Sequence, residues 1–395
     1  MAFLKGFRDF LVSLKLTVVL LVLSIILVFA ATLDQVQLGV WGVQEKYFHS
    51  LFVFARFGEM AIPVFPGGYL IGGVLLANLL SAHLSRLRPT WRKAGIWLVH
   101  SGLILLLVGE LLSGIVQQEF QMRLEEGETK NFAESDRLNE LAIIDTTDPK
   151  TDLVVAIPEK LLAEGRPVQS PVLPFRVIPK AYYPNSDLQR RAQVPGAPPS
   201  PATQGYGTEL IATPLALTYK ENERNLPTAF FELIGPEGSL GTWMAADLLT
   251  LQGMPPQRFE YGGRSWKLAL RPARDYQPYS LTLLKFSHDI YPGTDIPKNF
   301  SSRVRITAPG VDSGREALIY MNNPLRYQGL TFYQASFDPN DDHATVLQVV
   351  RNPSWLIPYI SCGTIAFGLV LQFLLHLARF ATRRNAKAAQ ATAAA

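Results

Sequence analysis

His100 stands inside the apolar run Gly95-Ile-Trp-Leu-Val-His-Ser-Gly-Leu-Ile-Leu-Leu-Leu-Val-Gly. An ionisable side chain in a segment apolar enough to cross hydrocarbon must be shielded from lipid and given a partner, so it marks a functional site by default. For an imidazole the open roles are a metal, a haem iron, a proton path, or a hydrogen bond to a neighbouring helix. Counted from Gly95, His100 lies about 7 to 8 Å along the helix at 1.5 Å per residue. One ring nitrogen can bind iron while the other meets an acceptor behind it. Six-coordinate iron needs a second ligand at that depth. His83 and His376 close two other apolar runs beside Arg86 and Arg379, where snorkelling to the interface accounts for them. The second ligand is therefore expected from a partner subunit.

No other residue pattern carries an engine. There is no phosphate loop, hydrolase elbow, His-Glu-x-x-His or dinucleotide fingerprint. His49, His288 and His343 each lack a second histidine or cysteine at metal-ligand spacing. The turn Asp338-Pro-Asn340-Asp-Asp342 opens like a calcium loop, but His343 replaces the required glycine and Val349 the closing glutamate. It reads as a solvated acidic turn, and no metal beyond a haem iron is expected. The single cysteine, Cys362, excludes disulfides, a Cys-x-x-Cys dithiol and a haem-attachment Cys-x-x-Cys-His, and is expected to pack as a small apolar residue. Glu110, near the far end of the His100 helix, reads as a boundary carboxylate or a contact to the β domain.

These side chains must be held by membrane helices. The 395 residues are 48% hydrophobic and 18% charged, and the apolar ones concentrate at 16–33, 67–84, 95–115 and 355–377, each close to the roughly 20 residues that span hydrocarbon. The first run ends in a signal-peptidase-like Val28-Phe-Ala30, but its length favours an uncleaved helix. The second carries Gly68 and Gly72, then Gly73 and Ala77, at the spacing that lets helices approach closely. Phe48, Leu51, Phe52 and Ala55 share one helical face in the 34–66 loop, which suits an interfacial helix or a short helix packed on the β domain.

Cations set the orientation. Lys5, Arg8 and Lys15, then Arg86, Arg88, Arg92 and Lys93, then Arg379, Arg383, Arg384 and Lys387 all fall on one side of the four runs. Basic residues stay cytoplasmic, so both termini are expected in the cytoplasm of a multi-pass inner (plasma) membrane protein. The segment 118–354 holds 24 Lys and Arg against 28 Asp and Glu, about −4, so the chain's net +4 reflects topology and gives no case for nucleic acid.

That segment reads as β structure, with strands expected at 141–144, 153–157, 175–178, 210–213, 230–234, 266–270, 281–286, 303–306, 318–321, 331–334 and 345–350, separated by turns such as Gly262-Gly263 and Pro292-Gly293. At 185–207 the composition turns to Pro, Gly, Ser, Gln and Ala, which predicts a mobile insertion. The expected organisation is three transmembrane helices in 1–117 with an outer interfacial loop, a large extracytoplasmic all-β domain at 118–354 (sandwich or open barrel), and a fourth transmembrane helix with a basic tail at 355–395.

Three segments resemble the ResB-like (CcsB-type) cytochrome c biogenesis proteins of system II. They are Leu14-Lys-Leu-Thr-Val-Val-Leu-Leu-Val-Leu through Ala31-Thr-Leu-Asp-Gln35, His100-Ser-Gly-Leu-Ile-Leu-Leu-Leu-Val-Gly-Glu-Leu-Leu-Ser-Gly114, and Asn323-Pro-Leu-Arg-Tyr-Gln-Gly-Leu-Thr-Phe-Tyr-Gln-Ala-Ser-Phe337. Their order and topology carry the likeness. The resemblance implies a non-autonomous subunit of a haem lyase, with His100 an axial ligand of a transient haem b shared with a haem-handling CcsA/ResC-type membrane subunit. It further implies haem export, attachment to apocytochrome c outside the cytoplasm, and dependence on a thiol reductant of thioredoxin type. The family partner's tryptophan-rich motif is missing here: Trp41, Trp91, Trp97, Trp243, Trp266 and Trp355 are scattered. The rival reading is a membrane-anchored structural or chaperone-like module whose His100 only bonds a neighbouring helix. Four spans without paired broken helices argue against a transporter.

Overall fold

Long apolar runs form helices, and alternating apolar and polar residues form strands. A computed structural model of the chain describes residues 2–58, 60–86, 90–219, 223–293, 297–310, 314–338 and 341–394. Arg88 and the Pro339–Asn340 part of the acidic turn lie outside them. The helices are α1 (Ala2–Leu11), α2 (Leu14–Val43), α3 (Gly68–Arg86), α4 (Ala94–Val116), α5 (Glu159–Ala163), α6 (Asp247–Leu251) and α7 (Ile357–Ala394). The strands are β1 (Phe52–Phe57), β2 (Met60–Pro66), β3 (Gln118–Glu125), β4 (Thr129–Asp145), β5 (Leu153–Pro158), β6 (Arg176–Tyr183), β7 (Ser186–Arg190), β8 (Leu210–Pro214), β9 (Thr228–Gly235), β10 (Gly238–Ala246), β11 (Gln257–Tyr261), β12 (Arg264–Ile290), β13 (Pro297–Thr307), β14 (Arg315–Tyr320), β15 (Leu325–Tyr327), β16 (Leu330–Asp338) and β17 (Asp341–Arg351). The chain divides into two units: Met1–Gln117 with Tyr219–Asn222 and Asn352–Ala395, and Gln118–Thr218 with Glu223–Arg351. The expected class, a helical membrane anchor plus a large β domain, is the class adopted.

In the helical unit, four stretches are long and apolar enough to cross a membrane: Leu14–Phe48, Gly68–Ser85, Trp91–Val116 and Ile357–Arg384. The first is not one straight helix. Gly39 has φ 69°, a left-handed conformation that glycine adopts without a Cβ penalty. Beyond it the chain folds back, so that Asp34 accepts hydrogen bonds from Lys46 Nζ at 2.6 Å and Tyr47 Oη at 2.7 Å. On an unbroken helix, residues twelve apart would be separated by about 18 Å. At the other end, the break between α1 and α2 is held by Asn78 of α3, 2% exposed, which donates to the carbonyls of Leu11 and Ser13 and accepts from Thr17 Oγ1. One carbonyl freed by ending α1 thereby finds a donor in an apolar setting.

Two expectations for this unit change. Phe52 and Ala55, read as part of a helical face, lie instead in β1 of the β1–β2 hairpin, because Phe52-Val-Phe and Ile62-Pro-Val-Phe are aromatic and β-branched runs in which strand propensity prevails, with Pro63 set against a helix continuing beyond them. Of the glycines singled out on α3, Gly68 is closely packed, since an added Cβ would lie 2.6 Å from the Phe48 carbonyl oxygen, but the glycines that bring two helices together lie elsewhere. A Cβ on Gly72 or Gly73 would meet nothing within 4 Å, whereas Gly95, Gly102 and Gly109 of α4 each press on α7. Added Cβ atoms there would come within 2.5 Å of Gln372 Cβ, 2.6 Å of Ile365 Cγ1 and 2.4 Å of Ile357 Cγ2. Their seven-residue spacing puts all three on one stripe, so α4 and α7 pack antiparallel at close range. Cys362 of α7 is exposed and takes no part in this packing.

The β unit holds two cores joined by one strand. Its ten-stranded antiparallel sheet runs β14-β13-β12-β4-β3-β17-β16-β15, with β11 beside β12 and β5 beside β4. Along the 27 residues of β12, the first half faces the separate sheet β10-β9-β6. There Trp266, Leu268 and Leu270 alternate inward against Val177, Phe231 and Leu233 as in a sandwich. The second half curls with β13–β17 into a nearly closed barrel around Leu281, Leu283, Val304, Phe332, Leu347 and Val349. The register slips between Pro272 and Arg274, where one half gives way to the other. Every stretch read as a strand overlaps one. The insertion read as mobile is drawn into the fold: β7 pairs β8, Ala202 is 5% exposed, and Tyr206 N donates to the buried Gln257 side chain at 2.9 Å. A few apolar anchors and turn hydrogen bonds order what the composition alone would leave loose.

Candidate functional site

On α4, His100 lies two residues from Gly102, a rotation of about 200°, so it points away from the stripe that packs on α7. Trp97, three residues earlier, shares its face. That face meets α3. The His83 ring centroid is 6.0 Å from that of His100, and 3.9 Å from Trp97 in an edge-on arrangement at 64°. His83 was expected at the interface, yet it is 6% exposed. The helix runs on to Arg86, which leaves His83 one turn inside its end, and Trp97 covers it. The sequence signal that could have revealed this is Trp97 itself, an indole on the same face as His100.

His100 Nδ1 lies 3.0 Å from the Ile96 carbonyl oxygen. A carbonyl only accepts, so Nδ1 carries the proton and Nε2 keeps its lone pair, the tautomer found in iron- and metal-binding imidazoles. Beside it, His83 Nδ1 and Trp97 Nε1 are buried without hydrogen-bond partners, as is Gln372 Oε1 on the other face of α4, where α7 packs on Gly95. A buried polar atom left unpaired costs about 1–3 kcal/mol, and these are the orphaned side-chain atoms of the helical unit among the described residues. The donor set is of the kind that suits a haem iron: one imidazole with its lone pair free and a second imidazole close by.

The other candidate residues lie apart. His376 and Glu110 are exposed on α7 and α4. His49 stacks on Tyr69 at 5.5 Å and meets Glu45 at 3.2 Å. In the β unit, His288 stacks on Phe300 at 4.9 Å, and His343 is exposed beside Glu126. Among the described residues no three His, Cys, Asp or Glu side chains gather as metal ligands. The β unit also contains a cavity of about 400 Å³ lined by Glu134, Arg224, Asp247, Leu268 and Arg274. Its Asp247 is buried and pairs with Arg224 at 2.7 Å. Burial pushes this carboxyl above the usual range against the pull of Arg224.

Comparison with known proteins falls on both units. The ResB-like family matches residues 268–346, from the first half of β12 through β17. The chain is 24% identical to the protein NrfI of Wolinella succinogenes over 313 residues, which cover 78% of the chain and 30% of that protein. It is 32% identical over 125 residues to the cytochrome c biogenesis protein CcsB of Prochlorococcus marinus, and 36% identical over 124 residues to CcsB of Synechococcus sp. WH7803. These matches cover 31% of the chain and 28% and 27% of the two proteins, so the chain spans less than a third of each curated relative it matches.

Proposed function

We propose that the chain is a membrane subunit for cytochrome c maturation, which assists passage of haem b across the membrane and its attachment to apocytochrome c on the far side. The names of the CcsB relatives support the maturation role. The carrying observation for haem is the His100 imidazole, with Nδ1 tied to Ile96 and the Nε2 lone pair free, beside the buried and unpaired nitrogens of His83 and Trp97. In this reading His100 provides an axial ligand near the cytoplasmic leaflet, and the basic clusters keep both termini in the cytoplasm.

Haem, when bound, supplies vinyl groups across which cysteine S–H bonds add without a leaving group. This chain contributes position. The helices hold the iron ligand, and the β domain secures a CcsA/ResC-type membrane subunit and presents reduced apocytochrome thiols, kept so by a thioredoxin-like reductant. No nucleophile of the chain is required. The test is the Soret spectrum and haem stoichiometry of the chain purified with its partner, repeated with His100→Ala and with imidazole added back. Loss on substitution and recovery with imidazole are expected. Unchanged haem in His100→Ala refutes the ligand assignment and favours the purely structural module.

A further inference from the structure

The break between α1 and α2 sets a short helix apart from the membrane span that follows it. Ser13 is extended, with φ −70° and ψ 128°, so α1 does not continue the axis of α2, and Asn78 holds the break by donating to the carbonyls of Leu11 and Ser13. The ten residues of α1 have two unlike sides. At about 100° per residue, Phe7 and Phe10 fall together on one side and Lys5, Arg8 and Asp9 on the opposite one. Phe7 is 54% and Phe10 57% exposed, and a Cβ on Gly6 would meet nothing within 4 Å, so the described residues leave the phenyl side uncovered. Phenyl rings backed by cations suit a helix lying in a bilayer interface. Its tether supports this: α2 starts one residue after Ser13, which keeps all of α1 within about 20 Å of the span.

The charges around α1 select the kind of lipid. Residues 1–33, 68–109 and 355–395, which hold the four spans, carry eleven Lys and Arg with Asp9 as their only acid. Trp91, in the turn between α3 and α4 beside Arg92 and Lys93, is 80% exposed, as aromatic residues at a bilayer boundary are. A basic surface of this kind attracts anionic headgroups.

We propose that α1 is an interfacial helix that binds anionic phospholipid, with Phe7 and Phe10 at the acyl boundary and Lys5 and Arg8 at the phosphates. Arg8 pairs with Asp9 at 2.9 Å, both exposed, a contact weak enough for a phosphate to replace. Because Asn78 joins the end of α1 to α3, lipid bound at α1 steadies the packing of α2 on α3. The assignment stands apart from the haem reading.

The test uses the full chain with its exposed cysteine removed (Cys362→Ser) and one spin-labelled cysteine at a time, Lys5→Cys, Phe7→Cys, Asp9→Cys or Phe10→Cys. It is reconstituted in vesicles of equal parts phosphatidylglycerol and phosphatidylcholine, or of phosphatidylcholine alone, and probed by electron paramagnetic resonance with oxygen and a nickel chelate as relaxants. With phosphatidylglycerol, labels at Phe7 and Phe10 should meet oxygen and be shielded from nickel, and labels at Lys5 and Asp9 should show the reverse. In phosphatidylcholine alone, or with Lys5→Gln and Arg8→Gln together, nickel should reach the Phe7 and Phe10 labels several times more readily. Lys5→Arg with Arg8→Lys keeps the charges and should keep the contrast, which separates loss of lipid binding from misfolding. Four labels equally open to nickel in both lipids place α1 in water and overturn the proposal. Labels at Phe7 and Phe10 shielded from oxygen and nickel alike reveal a protein cover, a second copy included, and also overturn it. An unchanged contrast in phosphatidylcholine alone refutes the preference for anionic headgroups.

Discussion

Arg271 and Glu140 face each other across β12 and β4, where β12 leaves the sandwich and enters the barrel. Both side chains are 8% exposed, with Arg271 Nη2 at 2.9 Å and Nε at 3.0 Å from Glu140 Oε1, and Arg271 Nη2 also reaches Tyr276 Oη at 3.3 Å. At about 3 Å and an effective dielectric near 20, the attraction is about 5 kcal/mol, most of it offset by desolvation of the two charges. Removing one partner strands the other, which costs about 3–5 kcal/mol. Arg271→Met in the full chain should therefore lower amide-exchange protection in β4 and β12 by roughly a hundredfold to a few thousandfold, at about 1.4 kcal/mol per tenfold. The double variant Glu140→Leu with Arg271→Met removes both charges and should recover most of that loss. Hydrogen-exchange mass spectrometry of peptides covering 139–145 and 266–274 measures both. A loss under about tenfold for Arg271→Met, or a double variant no better than the single, would refute the reasoning.

Gln257→Leu removes a buried amide that accepts from Tyr206 N and donates to the Met244 carbonyl at 2.6 Å; it should cost about 1–3 kcal/mol and raise exchange at residues 200–208 while the barrel stays protected. Gly102→Val drives methyl groups into Ile365 and the Ser361 carbonyl; a loss of about 1–3 kcal/mol should appear as a lower melting temperature in detergent. Burial pushes Asp136 up to about 6, against Arg224 and a hydrogen bond from Gln121. Its folded pKa lies above the unfolded value, so the folded state binds more protons between about pH 4 and 6 and the β unit should lose stability as pH rises through that window. Asp136→Asn should flatten this slope in pH-dependent melting. The residue as a whole remains exposed, with only its carboxyl crowded by neighbours, so a small slope is expected.

Strand positions were legible because period-2 patterns such as Trp266-Lys-Leu-Ala-Leu leave little choice of which face turns inward. The apolar runs gave the four membrane helices for the same reason. What was illegible depended on distant partners. Composition at 185–207 could not reveal that Gln257, some fifty residues on, holds that segment. Small-residue spacing singled out α3, but only the antiparallel approach of α7 tells which glycines are pressed. The β1–β2 hairpin was hidden because Phe48, Leu51, Phe52 and Ala55 satisfy a helical period and a run of aromatics equally well. His100 could be picked out alone, since a buried imidazole is costly wherever it points. His83 could not, because its burial is decided by an indole on the next helix.

β4 and β12 are hydrogen-bonded neighbours from Asp145 and Trp266 back to Glu140 and Arg271, yet more than a hundred residues separate the ends that meet. The whole sandwich sheet, with α5, α6 and both short hairpin strands, is thus a single excursion from the tip of one hairpin. Both ends of that excursion are anchored on adjacent strands, so its length can change without moving any barrel strand. The cavity around Asp247 and Arg224 sits at the foot of that excursion, where Glu134 and Arg274 from beyond the register slip also line it, so what it admits can be tuned from the excursion's own residues while those two stay fixed in the barrel's strands.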